Sequence, residues 1–200
     1  RDLDLNLINI AAEPFAVAKS VGADDSTEFS AIFIDIGGGT SDIAVVNNGG
    51  VVGTRMFAIG GRSFTKRIAT SLGMSFDKAE ELKREHGLAM VGDHKDVFAV
   101  LANGISVLKD EINRRYMYWH EKKNQFSSFP SIDTVYLCGG HSNLSGLDEY
   151  LSANLKLKVV QVNPWKNCFS LDDSIPAMSR EASMSYVTAI GLALADYIYD

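Results

Sequence analysis

The most constraining stretch of the chain is Phe33-Ile34-Asp35-Ile36-Gly37-Gly38-Gly39-Thr40-Ser41-Asp42. The apolar run Ile32 to Ile36 reads as a buried strand, and Ile43 to Val46 resumes that character after the glycines, so the glycines occupy a turn between strands. They do not open a helix. A Walker loop requires a lysine and a following helix, and a dinucleotide fingerprint also requires a helix here; neither pattern is present. A glycine bulge in a hairpin accounts for the triplet alone, but not for Asp-x-Gly-Gly-Gly-Thr-x-Asp as a unit. Consecutive residues without Cβ let the backbone approach an anion and aim several N–H groups at it, and the Thr40 hydroxyl adds a donor. Asp35, at the end of its strand, is placed to face a hydrated divalent cation. The stretch therefore reads as a phosphate loop carried on strands, with Gly37, Gly38, Gly39 and Thr40 as its anion-binding residues.

Composition limits what such a loop can serve. Two hundred residues, 46% hydrophobic and 22% charged, suit a soluble globular chain with one large domain or a domain and a lobe. A net charge of -6 and a pI near 5.2 leave no broad basic field for nucleic acid or an anionic membrane surface. An anionic nucleotide must then be held by local groups. Cys138 and Cys168 suit a reducing compartment better than a disulfide framework, although one disulfide stays compatible with them. No stretch approaches the roughly 18 to 20 uninterrupted apolar residues of a membrane span, and the start carries no signal-peptide pattern. The expected location is the cytoplasm.

In chain order, Leu3 to Ile10 reads as a short strand and Ala11 to Ser20 as a small-residue helix with Pro14 near its first turn. Gly22 to Glu28 reads as a surface loop. A meander of strands follows, Ile32 to Ile36, Ile43 to Val46 and Val51 to Ile59, with Asn47-Asn48-Gly49-Gly50 as its second turn. Gly60-Gly61 ends the meander, and Ser63 to Leu72 carries apolar residues at helical spacing. Phe76 to His86 reads as a charged helix stopped by Gly87, and Val97 to about Lys122 as a long amphipathic helix. Glu80 and Arg84, one turn apart, can pair on a solvated face. His86, His94 and His120 lack metal-ligand spacing and read as surface residues. Thr134 to Cys138 reads as a strand whose Gly139-Gly140 turn leads toward a helix from Leu147 to Leu155; such a turn brings backbone close to a flat ligand and offers a positive helix end. Lys158 to Val162 is a further strand, and Glu181 to Tyr199 a closing helix.

Together these stretches resemble the actin-like ATPase superfamily of actin, sugar kinases, heat-shock chaperone ATPases and the bacterial FtsA and PilM proteins. Asp35 to Asp42 is similar to the second phosphate motif, and Ile10-Ala11-Ala12-Glu13-Pro14-Phe15-Ala16-Val17-Ala18 to the first connecting segment. Ala79-Glu80-x-Leu82-Lys83 is similar to the helix that touches adenine and ribose. Cys138 to Leu147 resembles the adenosine motif, with His141 where a small residue is commoner and where its bulk crowds the nucleotide. Val187 to Leu194 resembles the closing helix, with Gly191 allowing close packing.

The resemblance implies an α/β fold: a ribonuclease-H-like (actin-like ATPase) core over residues 1–72 and 132–200, with an inserted, mainly helical subdomain over 73–131. It implies ATP with Mg2+ as ligands. Glu13 would orient the attacking water, although an ordinary helix start with an acid accounts for it equally well. Asp35 would act in catalysis and hold the metal. Gly37, Gly38, Gly39, Thr40, Glu80, Lys83, Gly139, Gly140 and Ser142 would hold the nucleotide. Gly73 to Lys83, the long helix and Val162-Asn163-Pro164-Trp165 look most like the PilM branch of type IV pilus assembly, with FtsA of cell division as runner-up. The implied role is a cytoplasmic scaffold, peripheral to the inner membrane through a peptide of a pilus inner-membrane protein, or through the cell-division tubulin tail in the FtsA reading. Self-association and a scaffold that does not hydrolyse ATP stay open. The resemblance covers only the second large lobe of the superfamily, so this stretch alone is expected to fold, bind ATP weakly and not hydrolyse it.

Overall fold

The computed structural model describes residues 10–21, 30–48, 50–89, 94–125, 131–170, 172 and 174–194. The strand reading before Ile10, the loop at 22–28, most of the loop at 124–131 and the end of the closing helix fall outside these residues. The elements are α1 (Glu13–Ser20), β1 (Ser30–Ile36), β2 (Ser41–Asn47), β3 (Gly50–Phe57), α2 (Gly61–Leu72), α3 (Phe76–His86), α4 (Lys95–Gln125), β4 (Thr134–Cys138), α5 (Leu147–Leu155), β5 (Lys158–Gln161), α6 (Arg180–Ser183) and α7 (Val187–Leu194). Short 3₁₀ turns at Gly140–Asn143 and Met184–Tyr186 precede α5 and α7.

Alternation along β1 sets the layers. Successive strand residues point to opposite faces. Ile32, Ile34 and Ile36 pack in a core with residues of α2, α4 and α5, whereas Ala31 and Phe33 pack on the other face with residues of α1 and α7. β1 is buried on both sides, which explains its nearly unbroken apolar run. The sheet has five strands in the order β3-β2-β1-β4-β5. β1 and β2, and β2 and β3, pair antiparallel, while β4 runs parallel to β1 and β5 parallel to β4. The strand, strand, strand, helix order and the placing of β1 and β4 in one sheet agree with the sequence reading.

Residues 73–131 contribute α3 and α4. Leu101, Ile105, Leu108 and Ile112 recur at helical spacing along α4 and join the core that holds the β1 isoleucines. On the opposite face, α1 and α7 touch backbone to backbone: a Cβ on Gly191 would lie 1.7 Å from the Ala16 carbonyl oxygen. The closing helix is broken where the sequence suggests continuity. Ser179 caps α6 by accepting from the Ala182 N–H at 3.2 Å, and the Ser183 hydroxyl donates to the Arg180 carbonyl at 2.6 Å. Serines that bond nearby backbone compete with helix propagation, and the chain tightens into a 3₁₀ turn before α7 starts.

Gly191→Ala forces these two helices apart, so it should lower stability by about 1–3 kcal/mol. Denaturant unfolding of the full-length protein checks this; wild-type stability would show that the α1–α7 contact yields without cost.

Candidate functional site

The glycine turn is shaped by backbone bonds. Gly37 N–H donates to Thr40 O at 2.9 Å, closing the turn. The first N–H groups of α2 are satisfied by the turn itself, Gly61 donating to Gly37 O at 3.0 Å and Arg62 to Gly38 O at 2.8 Å. A trans peptide holds its C=O and N–H on opposite sides. Carbonyls aimed at α2 therefore turn the next amides, those of Gly38 and Gly39, to the open side. Among the described residues the N–H groups of Gly38, Gly39 and Thr40 and the Thr40 hydroxyl have no hydrogen-bond partner, and a Cβ on Gly39 would meet nothing within 4 Å. Successive unpartnered amides in such a turn are the makings of an anion nest.

Strand register brings the acids together. Asp35 and Asp42 are direct partners across β1 and β2, and both point to the face that carries α1, where Glu13 lies. Glu13 Oε1 accepts from the Thr188 hydroxyl of α7 at 3.0 Å. Burial, with the neighbouring charges of Glu13 and Asp42, raises the Asp35 pKa to about 6 against the Cys138 thiol that lowers it. Burial and Glu13 also raise Asp42. Cys138, opposite Asp35 in β4, is pushed well above the usual thiol range by burial and these acids, and it donates to Ile34 O at 3.5 Å.

Gly139 follows at the end of β4 with φ 84°, and a Cβ there would lie 2.3 Å from Asp35 Oδ1. Only glycine lets β4 turn against the acid. The sequence suggested a direct run toward α5; instead Gly140 opens a 3₁₀ turn, because Ser142 N–H and its hydroxyl both donate back to Gly139 O, at 3.0 and 2.7 Å. Ser142 is buried, with its hydroxyl committed to that carbonyl. Gly140 sits against Ser185, whose Oγ would lie 2.6 Å from an added Cβ.

Glu80 and Lys83 of α3 meet α2. Lys83, only 3% exposed, donates to Gly61 O at 3.2 Å, Thr65 Oγ1 at 2.9 Å and Glu80 Oε2 at 2.7 Å. Burial opposes the Glu80 charge, but donors on Lys83, Thr65 and Arg84 outweigh it and hold the carboxyl at about 2. The Glu80–Arg84 pairing read from the sequence is present at 2.9 Å, and it coexists with the inward bonds. The structure thus gathers Glu13, Asp35, the glycine turn and Gly139-Gly140 at one end of the sheet, with Lys83 joined to the turn through Gly61.

Two side chains here escaped the sequence reading as site groups. Arg62 and His141 flank the turn: a Cβ on Gly38 would lie 3.9 Å from Arg62 Nε and 4.0 Å from His141 Cε1. The basic residue just after Gly60-Gly61 was the available signal for Arg62. His86 also departs from expectation, its side chain being mostly buried and stacked on His94 with ring centroids 3.5 Å apart.

A family model described as type IV pilus assembly protein PilM matches residues 7–197. The chain belongs to this PilM family. It is 33% identical to the cell division protein FtsA of Rhizobium meliloti over 214 residues, covering 98% of this chain and 47% of that protein. A second FtsA, from Neisseria meningitidis, is 39% identical over 80 residues, 40% of this chain and 19% of that protein. The fold superposes on a PilM–PilN type IV pilus biogenesis complex with a TM-score of 0.74 at 22% identity, over 94% of this chain and 52% of the matched one. MreB5 of Spiroplasma citri bound to ADP matches with a TM-score of 0.68 at 17% identity, over 98% of this chain and 62% of that one. The PilM-family chain spans about half the length of the Rhizobium meliloti relative and of the pilus-complex chain. Its fold is that of the actin-like ATPases, with a ribonuclease-H-like core.

The Asp35 proton gives a stability test. The folded chain holds this proton more tightly than an unfolded one, so the group contributes stability below pH 3.8 that is lost as pH rises through about 6. Asp35→Asn should then stabilise the protein by about 1–3 kcal/mol near neutral pH and have little effect in acid, below both pKa values. Denaturant titrations at the two pH values check this; an equal gain at both would remove the ionisation of Asp35 as its cause.

Proposed function

We propose that the chain is the nucleotide-binding half of a PilM-like actin-like ATPase that serves as a cytoplasmic scaffold of type IV pilus assembly. The observation that carries this is the glycine turn, where the Gly38, Gly39 and Thr40 amides have no hydrogen-bond partner among the described residues, beside the partly buried Asp35. In this reading those amides hold phosphate oxygens, and Gly139 and Gly140 bring backbone against the adenosine. Ser142 keeps that turn in shape. Glu80 and Lys83 border the ribose side through α2, Glu13 orients the attacking water from α1, and residues 73–131 form a subdomain inserted between the core segments 1–72 and 132–200.

The acids suit Mg2+. Among the described residues no group of three or more His, Cys, Asp or Glu gathers as a metal centre. Mg2+ needs no such cage, since it keeps several waters and binds through one or two carboxylates plus substrate phosphates. Asp35, desolvated beside other acids, is a hard oxygen donor relieved by a nearby cation. When bound, the ion would supply charge neutralisation at the phosphates, with Asp35 as the residue that would hold it. The protein's part is positioning: Asp35 toward the ion, the amides toward the phosphates and Glu13 toward water.

Among the described residues no helix is long and apolar enough to cross a membrane. The partner in this reading is a cytoplasmic peptide of a pilus inner-membrane protein, which would hold the scaffold at the membrane; the PilM–PilN complex supports it. The match to FtsA over nearly the whole chain supports a second reading, in which the partner is the cell-division tubulin tail. A pull-down by the full-length protein with both peptides separates the two. Calorimetry tests the site: Asp35→Ala should weaken Mg2+-dependent ATP binding roughly 10- to 100-fold, and Asp96→Ala, on α4, should leave it unchanged. Equal affinities would overturn the site.

A further inference from the structure

His141 occupies an unusual place. Its ring fills the space where a side chain on Gly61 would stand, since a Cβ there would lie 1.7 Å from Cδ2 and 1.9 Å from Nε2. The Cε1 edge faces Gly38. The imidazole thus lies between the glycine turn, the start of α2 and the 3₁₀ turn after Gly139. Neither ring nitrogen has a hydrogen-bond partner among the described residues, although the ring is half-buried. A ring nitrogen without a protein partner is free to take a ligand, and this one borders amides that are also unpartnered among the described residues.

Resting on the nucleotide reading above, we propose that His141 is a phosphate-binding residue of this site that takes up a proton from solvent when a nucleoside di- or triphosphate seats against Gly38. The charged groups around the ring are Arg62 from α2 and Lys83, Glu80 and Arg84 from α3. Burial first, then Lys83, lower the His141 pKa against the opposing pull of Glu80, and Arg84 and Arg62 add to the lowering. Without ligand the ring is therefore neutral near physiological pH. A phosphate beside Gly38 reverses the local field, because an opposite charge within a few ångströms favours the protonated form. The imidazolium then donates to a phosphate oxygen in a charge-assisted bond, with Arg62 on the other flank.

Linkage fixes the sign. A group whose pKa rises on binding makes the ligand bind with a proton, so affinity gains as pH falls through the window between the free and bound pKa values. The gain belongs to His141 alone when compared with a chain lacking the imidazole, since titration of Asp35 and of the phosphate is common to both.

The test uses the full-length protein and ADP without metal, which leaves the Asp35–metal role aside. His141→Phe keeps a ring against Gly61 and removes both nitrogens. Calorimetry near pH 6.5 in buffers of different ionisation enthalpy should show proton uptake by the wild type that is absent from the variant. The wild-type to variant affinity ratio should rise about three- to tenfold from pH 8 to pH 6. Should His141→Phe fail the circular-dichroism check of folding, His141→Gln is measured instead, and proton NMR of wild-type histidines reads the pKa rise on adding ADP directly. Identical proton uptake and a flat affinity ratio would overturn the proposal and leave the ring as packing. ADP binding absent from the wild type at every pH would overturn the nucleotide reading itself, and this proposal with it.

Discussion

Everything at the site depends on two hydrogen bonds between backbones, from the first amides of α2 to the carbonyls of Gly37 and Gly38. They satisfy helix donors that would otherwise need a cap, since Gly60 offers no side chain to accept from them. Through peptide planarity they also orient the following amides outward. The contact is close enough to forbid a side chain at Gly60, where a Cβ would lie 2.7 Å from Gly37 O. One interface thus ends the meander, starts the helix and opens the nest. A lysine or an additional helix at the turn is unnecessary, which explains how a chain with neither Walker nor dinucleotide pattern can present amides to an anion.

Charge is divided across that turn. On the α1 side stand Glu13, Asp35 and Asp42, two of them in direct register and all acidic. On the α2 side stand Arg62, Lys83 and Arg84, with Glu80 held between the latter two. Burial first, then the like charges of Glu13 and Asp42, disfavours the Asp35 carboxylate, and a carboxyl held at about 6 expresses that cost. A cation on one side and phosphates on the other would offset both halves at once. Local arrangements that disfavour the folded chain cluster at functional sites, and the acid pair follows that pattern, whereas the Lys83–Glu80 pair is satisfied within the protein.

How legible this was in the sequence depended on the range of the interaction. Short apolar runs named β1, β2 and β4 because a strand buried on both faces carries its signal in its own residues, and Thr134 to Cys138 was read with the bounds observed. The acid at the strand end and the glycines were legible for the same reason. Lys83 was not, in one respect: its helix is charged throughout, and nothing local tells that Thr65 and Gly61 of another helix would bury its amine. His141 stood out only as a bulky residue in a motif of small ones; its seat on Gly61 depends on how α2 meets the 3₁₀ turn. The break before α7 escaped because serine hydroxyls can either tolerate a helix or compete with it, and the Ser179 and Ser183 bonds that compete here are set by the fold.

The same contacts tie the site to both helical layers. On one face Lys83 joins α3 to the Gly61 carbonyl, while the Gly61 amide holds Gly37, so one residue of α2 transmits between α3 and the turn. Withdrawing α3 would carry Lys83 and Glu80 away together and remove the ammonium that donates to the Gly61 carbonyl and the Thr65 hydroxyl of α2. On the other face Glu13 is held by Thr188, and the backbone contact at Gly191 fixes α7 against α1. Displacing α7 would move the acid nearest Asp35 and Asp42. The sheet end therefore receives donors from one layer and acids from the other, and a partner that shifts either layer acts on the site through a named residue.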